Sequence, residues 1–239
     1  MSSDRYIQRY DRKGLFLPHL SQFPAAVIFD MDGTLLDTEA KHGEMMTAAS
    51  RNLGWPISQE IFLRMVGVHR DENRRMLAEE YGPDFPVDQF YIDSETMFEA
   101  AIENGIPLRP GALEIIAYLH AMDIPMAVAT STLSPYAERR LEQASILPFL
   151  QTVVTRSDVE RAKPDPECYL LAADRLGIAP ALCLAVEDSP IGARAAHGAG
   201  MTTIMIPDLL PPTREIAAMG IAILNGLSDL QQRLGNLER

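Results

Sequence analysis

The sequence predicts an α/β protein in which a doubly wound, mostly parallel β-sheet carries an inserted helical domain. Two observations lead to this prediction. Short apolar runs recur along the chain, with helical patterns between the later ones, and strands that alternate with helices pair in parallel through right-handed crossovers. In addition, the roughly 95 residues between the first two apolar runs contain no convincing strand of their own.

Six apolar runs have the length and composition of strands. The first contains only Ala, Val, Ile and Phe, which is typical of a central parallel strand that is buried on both faces. Tyr169, Ala173 and Leu176 follow helical spacing between the third and fourth runs. The predicted strands are residues 25–29, 125–129, 152–155, 182–186, 202–206 and 221–224.

Three helix starts are marked by a polar residue followed by proline. Serine and aspartate side chains can accept hydrogen bonds from the first free N–H groups of a helix, and proline suits the first helical position. We therefore predict that three helices begin at the prolines of Ser134-Pro135, Asp165-Pro166 and Ser189-Pro190.

The long interval without a strand predicts a helical insertion over residues 40–107. Breaks that contain glycine or proline divide it into segments of helical character. Both edges of the insertion return to the predicted sheet, near residues 37–40 and 108–111, so the insertion can act as a lid. The chain thus divides into an N-terminal extension (1–23), a core domain (24–39 plus 108–239) and the inserted domain (40–107).

The 239-residue chain is acidic, with a formal net charge of −12 and a pI near 4.8. Nucleic acids and anionic membranes are bound by patches of Lys and Arg, so we expect neither as a partner. The pairs Arg74-Arg75 and Arg139-Arg140 are interpreted as solvated helix faces. No membrane span or secretory signal is recognisable, so we expect a cytoplasmic protein, and the sequence leaves a monomer and a homodimer equally open.

The most informative motif, Asp30-Met31-Asp32-Gly33-Thr34, follows the first predicted strand. In an extended segment Asp30 and Asp32 point to the same side, and two like charges this close require a cation or a shared proton. Acids before glycine also occur in ordinary turns and in calcium loops. A calcium loop requires glycine and glutamate where this chain has Leu35 and Lys41. The remaining interpretation is a carboxylate nucleophile beside a bound metal.

Polar residues also follow the next three predicted strands: Thr130-Ser131-Thr132, then Lys163, then Glu187-Asp188. Ligands of open α/β sheets bind beyond the carboxyl ends of the strands, so these groups are expected to lie together with the first motif. Each group has a role in phosphoryl transfer. A carboxylate can attack phosphorus, while a metal and an ammonium group offset the charge of the phosphoryl oxygens.

These four motifs resemble those of the haloacid dehalogenase-like phosphohydrolase superfamily over about residues 24–208. The helical insertion is similar to the small α-helical cap of the β-phosphoglucomutase-like branch, which also holds sugar phosphate phosphatases. The resemblance implies a Rossmann-like, doubly wound core with a four-helix-bundle cap. It also implies Mg²⁺ as cofactor and a small phosphorylated metabolite as substrate.

The resemblance further implies roles for the acids. Asp30 would be the nucleophile and a metal ligand. Asp32 would protonate the leaving oxygen, later activate water, and bind Mg²⁺ through its backbone carbonyl. Asp188 would bind Mg²⁺ through its carboxylate, and Glu187 would be a further ligand or a partner of the ligands. Oxygen-only ligation by few protein groups suits Mg²⁺.

The remaining motif residues would bind the phosphoryl group. By the same resemblance, Thr130 would donate a hydrogen bond to a phosphoryl oxygen, and Lys163 would contact both Asp30 and the phosphate. Backbone N–H groups around Gly33 and Ser131 would assist.

Two residues of the insertion, His42 and Arg70, are candidates for substrate contact. His42 lies on one face of a predicted helix, where contact with solvent is an equally good interpretation. Arg70 matches an arginine that sugar phosphomutases of this branch use for a second phosphate. Those mutases have a lysine where this chain has Val66. Arg70 is therefore a candidate for contact with a substrate hydroxyl, carboxylate or distal phosphate.

The leading hypothesis is a Mg²⁺-dependent phosphatase that hydrolyses a sugar phosphate or a nucleoside-like monophosphate through an aspartyl phosphate. A phosphomutase is the alternative, and Val66 argues against it. A dehalogenase is disfavoured because that branch lacks the second acid, which is Asp32 here. A non-catalytic binding module is the last hypothesis, because a fold alone does not establish function.

Overall fold

A computed structural model describes residues 22–66, 68, 70–103 and 105–237. Six strands form one parallel sheet in the order β3-β2-β1-β4-β5-β6, which is the strand order of a doubly wound α/β fold. All six predicted strands are confirmed to within one residue at each end. They are β1 (Ala26–Phe29), β2 (Met126–Ala129), β3 (Thr152–Val154), β4 (Cys183–Glu187), β5 (Thr202–Met205) and β6 (Ala222–Ile223).

In the described residues, five helices lie between β1 and β2, and the others connect or follow the later strands. The described part of residues 39–102 contains helices and no strand, as expected for a helical insertion. The boundaries of the three predicted domains remain predictions. No helix in the described ranges is long and apolar enough to cross a membrane. The helices are α1 (Glu39–Asn52), α2 (Gln59–Met65), α3 (Arg70–Tyr81), α4 (Val87–Ile102), α5 (Ala112–Ala121), α6 (Tyr136–Gln143), α7 (Glu167–Leu176), α8 (Pro190–Gly198), α9 (Arg214–Ala218) and α10 (Leu227–Gly235).

Side chains of β1 alternate between the two faces of the sheet and are fully buried on both. Val27 and Phe29 pack with residues of α5, α6 and α10, whereas Ala26 and Ile28 pack with residues of α7 and α8. Burial on both faces explains why the sequence of β1 is apolar throughout. A separate apolar cluster lies within residues 49–91 and joins side chains of α1 to α4.

Of the three predicted helix starts, one has the expected form. At α8, Ser189 Oγ accepts a hydrogen bond from the Gly192 N–H at 3.1 Å. For α6 and α7 the prediction is wrong by one residue, because Pro135 and Pro166 occupy the cap position themselves. The serine and the aspartate that precede these prolines are therefore one residue too far from the helix to act as its cap.

The site-bearing edge of the sheet lies where the strand order reverses. β1 and β4 are neighbours, and Phe29 is in register with Val186. The next residues, Asp30 and Glu187, therefore reach the carboxyl edge side by side. Open α/β sheets bind their ligands at such a switch point, because connections on its two sides leave toward opposite faces and open a crevice.

Candidate active site

Lys163, the buried lysine of the third motif, contacts the first motif, the fourth motif and the end of β2. Lys163 Nζ donates hydrogen bonds to Asp30 Oδ1 at 2.7 Å, to Glu187 Oε1 at 2.6 Å and to the Ala129 carbonyl at 2.9 Å. Burial alone would lower the pKa of Lys163, but the two carboxylates raise it well above its ordinary value. Lys163 is therefore cationic and holds the ends of β1, β2 and β4 together.

Glu187 is enclosed by hydrogen-bond donors. Besides Lys163, its Oε1 accepts from the Tyr169 hydroxyl at 2.7 Å, and its Oε2 accepts from the Ser189 hydroxyl at 3.3 Å. A Cβ on Gly192 would lie 1.9 Å from Glu187 Oε1, so only glycine leaves room for this carboxylate. From the sequence, Tyr169 was predicted only as a residue of an apolar helix face and Gly192 was not predicted, because neither contact leaves a signal in residue spacing.

Three buried acids form a compact cluster. Carboxylate oxygens of Asp30, Glu187 and Asp188 lie within 4.8 Å of one another. Burial raises the pKa of Asp30 to about 8, and burial together with the neighbouring carboxylates raises the pKa of Asp188 well above its ordinary value. Buried carboxylates this close require protons or a cation, and hard divalent cations prefer oxygen ligands. The cluster therefore fits a divalent metal ion.

Asp32 lies in a different environment. Thr38 Oγ1 donates to its Oδ1 at 2.7 Å, and Thr132 Oγ1 donates to its Oδ2 at 2.6 Å. Burial alone would raise the pKa of Asp32. Its pKa is nevertheless lowered overall, mainly by the Arg140 guanidinium 3.8 Å away. The pKa values of the two acids of the first motif are thus shifted in opposite directions, a pattern typical of carboxylates with different tasks in one site.

A cleft of about 1170 Å³ opens between the sheet edge and helices α1 to α4. The Thr130 Oγ1 accepts from the Thr132 N–H at 3.0 Å, which leaves the Thr130 hydroxyl hydrogen free to donate. The structure brings most predicted site residues to this cleft. They are Asp30, Asp32, His42, Arg70, Thr130, Ser131, Lys163 and Asp188.

Gly33 is engaged within its own loop. Its N–H donates to the Leu36 carbonyl at 2.8 Å. It has a φ of +82°, and a Cβ here would lie 2.5 Å from Asp188 Oδ2. Glycine at this position therefore satisfies a left-handed backbone and allows the loop to approach the acid cluster closely.

Two residues on α1 face the acids from the other side of the cleft. The His42 ring stacks on Phe98 with centroids 3.6 Å apart, and burial lowers its pKa to about 4, so the ring is neutral near pH 7. Burial raises the pKa of Glu39 to about 8, with further contributions from Asp32 and Asp30. Glu39 belongs to none of the four motifs, so its proximity to the acids was not predicted.

Arg70 begins α3, and its guanidinium lies 4.1 Å from the centre of the Tyr91 ring. Val66, which stands where the mutases have lysine, is 7% exposed and lines the cleft.

The neighbouring Gly67 and His69 lie outside the described residues. The same holds for residues 1–21 of the predicted N-terminal extension.

The interpretation of Arg139-Arg140 as a solvated helix face is wrong for Arg140, which is 1% exposed. A signal for this burial is present in the sequence. Ala137, Leu141 and Ala144 share helical spacing with Arg140, so the arginine belongs to the apolar face of α6. Its contacts are with the acids of α4 and with Asp32.

Comparison with known proteins agrees with this geometry. A sequence model described as haloacid dehalogenase-like hydrolase matches residues 24–200. A phosphorylated carbohydrates phosphatase of Thermotoga maritima is 31% identical over 183 residues, covering 75% of this chain and 83% of that protein. The (DL)-glycerol-3-phosphatase 2 of Arabidopsis thaliana is 32% identical over 215 residues, covering 86% of this chain and 88% of that protein.

A solved structure of CbbY from Rhodobacter sphaeroides in complex with phosphate is similar in fold. It has a TM-score of 0.75 and 28% sequence identity, and the match covers 87% of this chain and 96% of that chain. The similarity to known proteins therefore extends over both the sheet and the helices that precede β2.

Asp188 allows a test of the metal site without an activity assay. The pKa of Asp188 is raised by folding, so in metal-free protein this group costs increasing stability as the pH rises above its unfolded value of about 4. In EDTA, Asp188→Asn should raise the Tm at pH 8, by about 2–4 °C for each kcal/mol recovered, and have a smaller effect at pH 5. Mg²⁺ should raise the Tm of the wild type at pH 8 more than that of the variant.

The matched control for this measurement is Asp84→Asn, which removes an exposed acid. Its Tm should follow the wild type at both pH values and with Mg²⁺. An equal Mg²⁺ response in wild type and Asp188→Asn would show that the acid cluster does not hold the ion.

Proposed function

The chain belongs to the haloacid dehalogenase-like hydrolase family, and we propose that it uses Mg²⁺ to hydrolyse a small phosphorylated metabolite through an aspartyl phosphate. Its similarity to named phosphatases supports a phosphoric monoester hydrolase. One observation carries the mechanistic proposal. The Asp30 carboxylate lines the cleft, is held by Lys163 at 2.7 Å, and lies within 4.8 Å of a second buried acid.

In this mechanism Asp30 is the nucleophile. One carboxylate oxygen attacks phosphorus, the bond from phosphorus to the ester oxygen breaks, and an aspartyl phosphate forms. Asp30, Asp188 and the backbone carbonyl of Asp32 would hold Mg²⁺, and Glu187 would orient Lys163 rather than bind the ion, because its oxygens already accept hydrogen bonds. When bound, Mg²⁺ offsets the negative charge of the acids and of the phosphoryl oxygens.

Asp32 would move the protons. In the second step water attacks phosphorus, the bond from phosphorus to the Asp30 oxygen breaks, and inorganic phosphate leaves. The lowered pKa of Asp32 leaves it ionised near pH 7, which is the form that accepts the proton of that water. A phosphate ester beside Asp32 adds negative charge and raises the pKa of this carboxyl, so the first step would begin with Asp32 protonated. Asp32 would then give that proton to the leaving oxygen.

Thr130, Ser131 and Lys163 would bind the phosphoryl oxygens. The Thr130 hydroxyl hydrogen is free to donate, and the Lys163 ammonium group is buried and cationic. Donors that are fixed before the reaction stabilise the charge of the transition state without reorganising. Gly33 would contribute indirectly, through the close approach of its loop to Asp188.

The substrate would be a sugar phosphate or a nucleoside-like monophosphate. Matched relatives are named for carbohydrate phosphates and for glycerol 3-phosphate, which share a polar, hydroxyl-bearing alcohol. The cleft has room for such a leaving group beneath α1 to α4, with His42 and Arg70 in its wall. We propose that residues 40–107 act as the cap that selects the substrate, and the apolar Val66 argues against a phosphomutase.

Removal of the nucleophile tests the proposed route. Asp30→Asn should lower Mg²⁺-dependent phosphate release from a panel of sugar, glycerol and nucleoside monophosphates by at least about 10³-fold, because no covalent intermediate can form. Phosphate release is measured with and without Mg²⁺, and circular dichroism checks the fold of the variant. Full activity of Asp30→Asn would contradict a covalent route through Asp30.

Arg70 is tested by separating KM from kcat. If its guanidinium contacts the leaving group, Arg70→Met should raise KM for the preferred ester about tenfold and leave kcat within about threefold, because a contact of equal strength in both states affects binding alone. Arg75→Met is the matched control, since Arg75 lies on the same helix with 71% of its side chain exposed. Equal KM values for the two variants would remove Arg70 from the substrate site.

A further inference from the structure

Arg140 is a buried cation at the junction between the sheet and the helices above it. Its side chain is 2% exposed. Its Nη2 donates to Glu95 Oε1 at 2.7 Å and to Glu99 Oε1 at 2.8 Å, and its Nε donates to the same Glu99 oxygen at 3.2 Å. The remaining nitrogen, Nη1, lies 3.8 Å from Asp32 Oδ1. The guanidinium therefore connects two acids of α4 with one acid of the first motif.

The face of α4 that holds Arg140 is continuous. Glu95, Phe98 and Glu99 are spaced three and four residues apart and so lie on one side of the helix. The centre of the Phe98 ring lies 4.5 Å from the Arg140 guanidinium, and the same ring stacks on His42. Three side chains of α4 thus contact the guanidinium.

Asp32 is held by two hydroxyls and by this charge. The hydroxyls come from Thr38, which directly precedes α1, and from Thr132, which follows β2. Neither hydroxyl belongs to α4. Arg140 thus links Asp32 to α4, because its guanidinium pairs with Asp32 and with both Glu95 and Glu99.

We propose that Arg140 is a positioning residue that couples the seating of α4 over the cleft to the orientation of the Asp32 carboxylate. This inference rests on the proposed function, because it assigns Arg140 an effect on proton transfer to the leaving oxygen. With α4 in place, Glu95 and Glu99 take most of the guanidinium donors and aim Nη1 at Asp32. Without them the guanidinium is free to turn toward Asp32 or away from it.

A purely structural ion pair would act differently from a positioning residue. Loss of a structural pair would disturb the whole site and lower activity on all esters alike. Loss of a group that orients Asp32 would matter only where the leaving oxygen needs a proton. An alkoxide leaving group needs that proton, whereas 4-nitrophenolate is stable enough to leave without it.

The experiment compares kcat/KM for glycerol phosphate and 4-nitrophenyl phosphate, because kcat/KM reports the steps up to release of the alcohol. Arg140→Met should lower the value for glycerol phosphate about 10²-fold and that for 4-nitrophenyl phosphate less than about tenfold. In Asp32→Asn, adding Arg140→Met should cause no further loss, because the two groups act through one step. Arg140→Lys, which keeps the charge, should recover part of the loss.

Two further variants secure the interpretation. Arg214→Met is the control, since Arg214 is an exposed arginine at the start of α9 that does not line the cleft, and it should leave both values unchanged. If Arg140→Met does not fold, Glu99→Gln weakens the grip on the guanidinium while Arg140 remains, and it should give the same preference in smaller measure. Equal losses on the two esters, or additive losses with Asp32→Asn, would overturn the inference. No Mg²⁺-dependent release from either ester by the wild type would overturn the proposed function as well.

Discussion

The buried contact between Lys163 and the acids that end β1 and β4 is the interaction on which the site depends. Parallel pairing of these two strands places Asp30 beside Glu187, and the loop after Glu187 adds Asp188. Three buried carboxylates repel one another, and one ammonium group at 2.6–2.7 Å from two of them offsets part of that repulsion. Removing one partner of such a buried pair typically costs about 3–5 kcal/mol, because the other charge is left uncompensated.

This constraint also explains the division of labour between the two acids of the first motif. Asp30 belongs to the acid cluster and accepts a hydrogen bond from Lys163. Asp32 instead accepts hydrogen bonds from Thr38 and Thr132 and lies near Arg140. Two residues apart in sequence, they therefore have pKa values shifted in opposite directions. One carboxylate is suited to attack and metal binding, and the other to proton transfer.

Much of the fold and the centre of the site could be predicted from the sequence, because both depend on local patterns. Apolar runs located all six strands, and polar residues at strand ends identified Asp30, Lys163 and Asp188 as neighbours, which the geometry confirms. Contacts made across the fold left no such pattern. The hydroxyl of Tyr169 reaches Glu187 only because α7 packs on the sheet face that carries Cys183 and Ala185 of β4. The starts of α6 and α7 were predicted one residue too early, at prolines that occupy the cap position. Arg140 was predicted to face solvent because arginine is usually exposed, although its neighbours at helical spacing are apolar.

The proposed mechanism requires that Asp30 becomes phosphorylated during turnover. The most direct test is to quench wild-type protein with acid within the first turnover and to search for an 80 Da phosphoryl adduct by peptide mass spectrometry, with Asp30→Asn as the blank. We expect the adduct on Asp30, labile to hydroxylamine and absent from the variant. Rapid release of the alcohol with no adduct on Asp30, or an adduct on another residue, would contradict it.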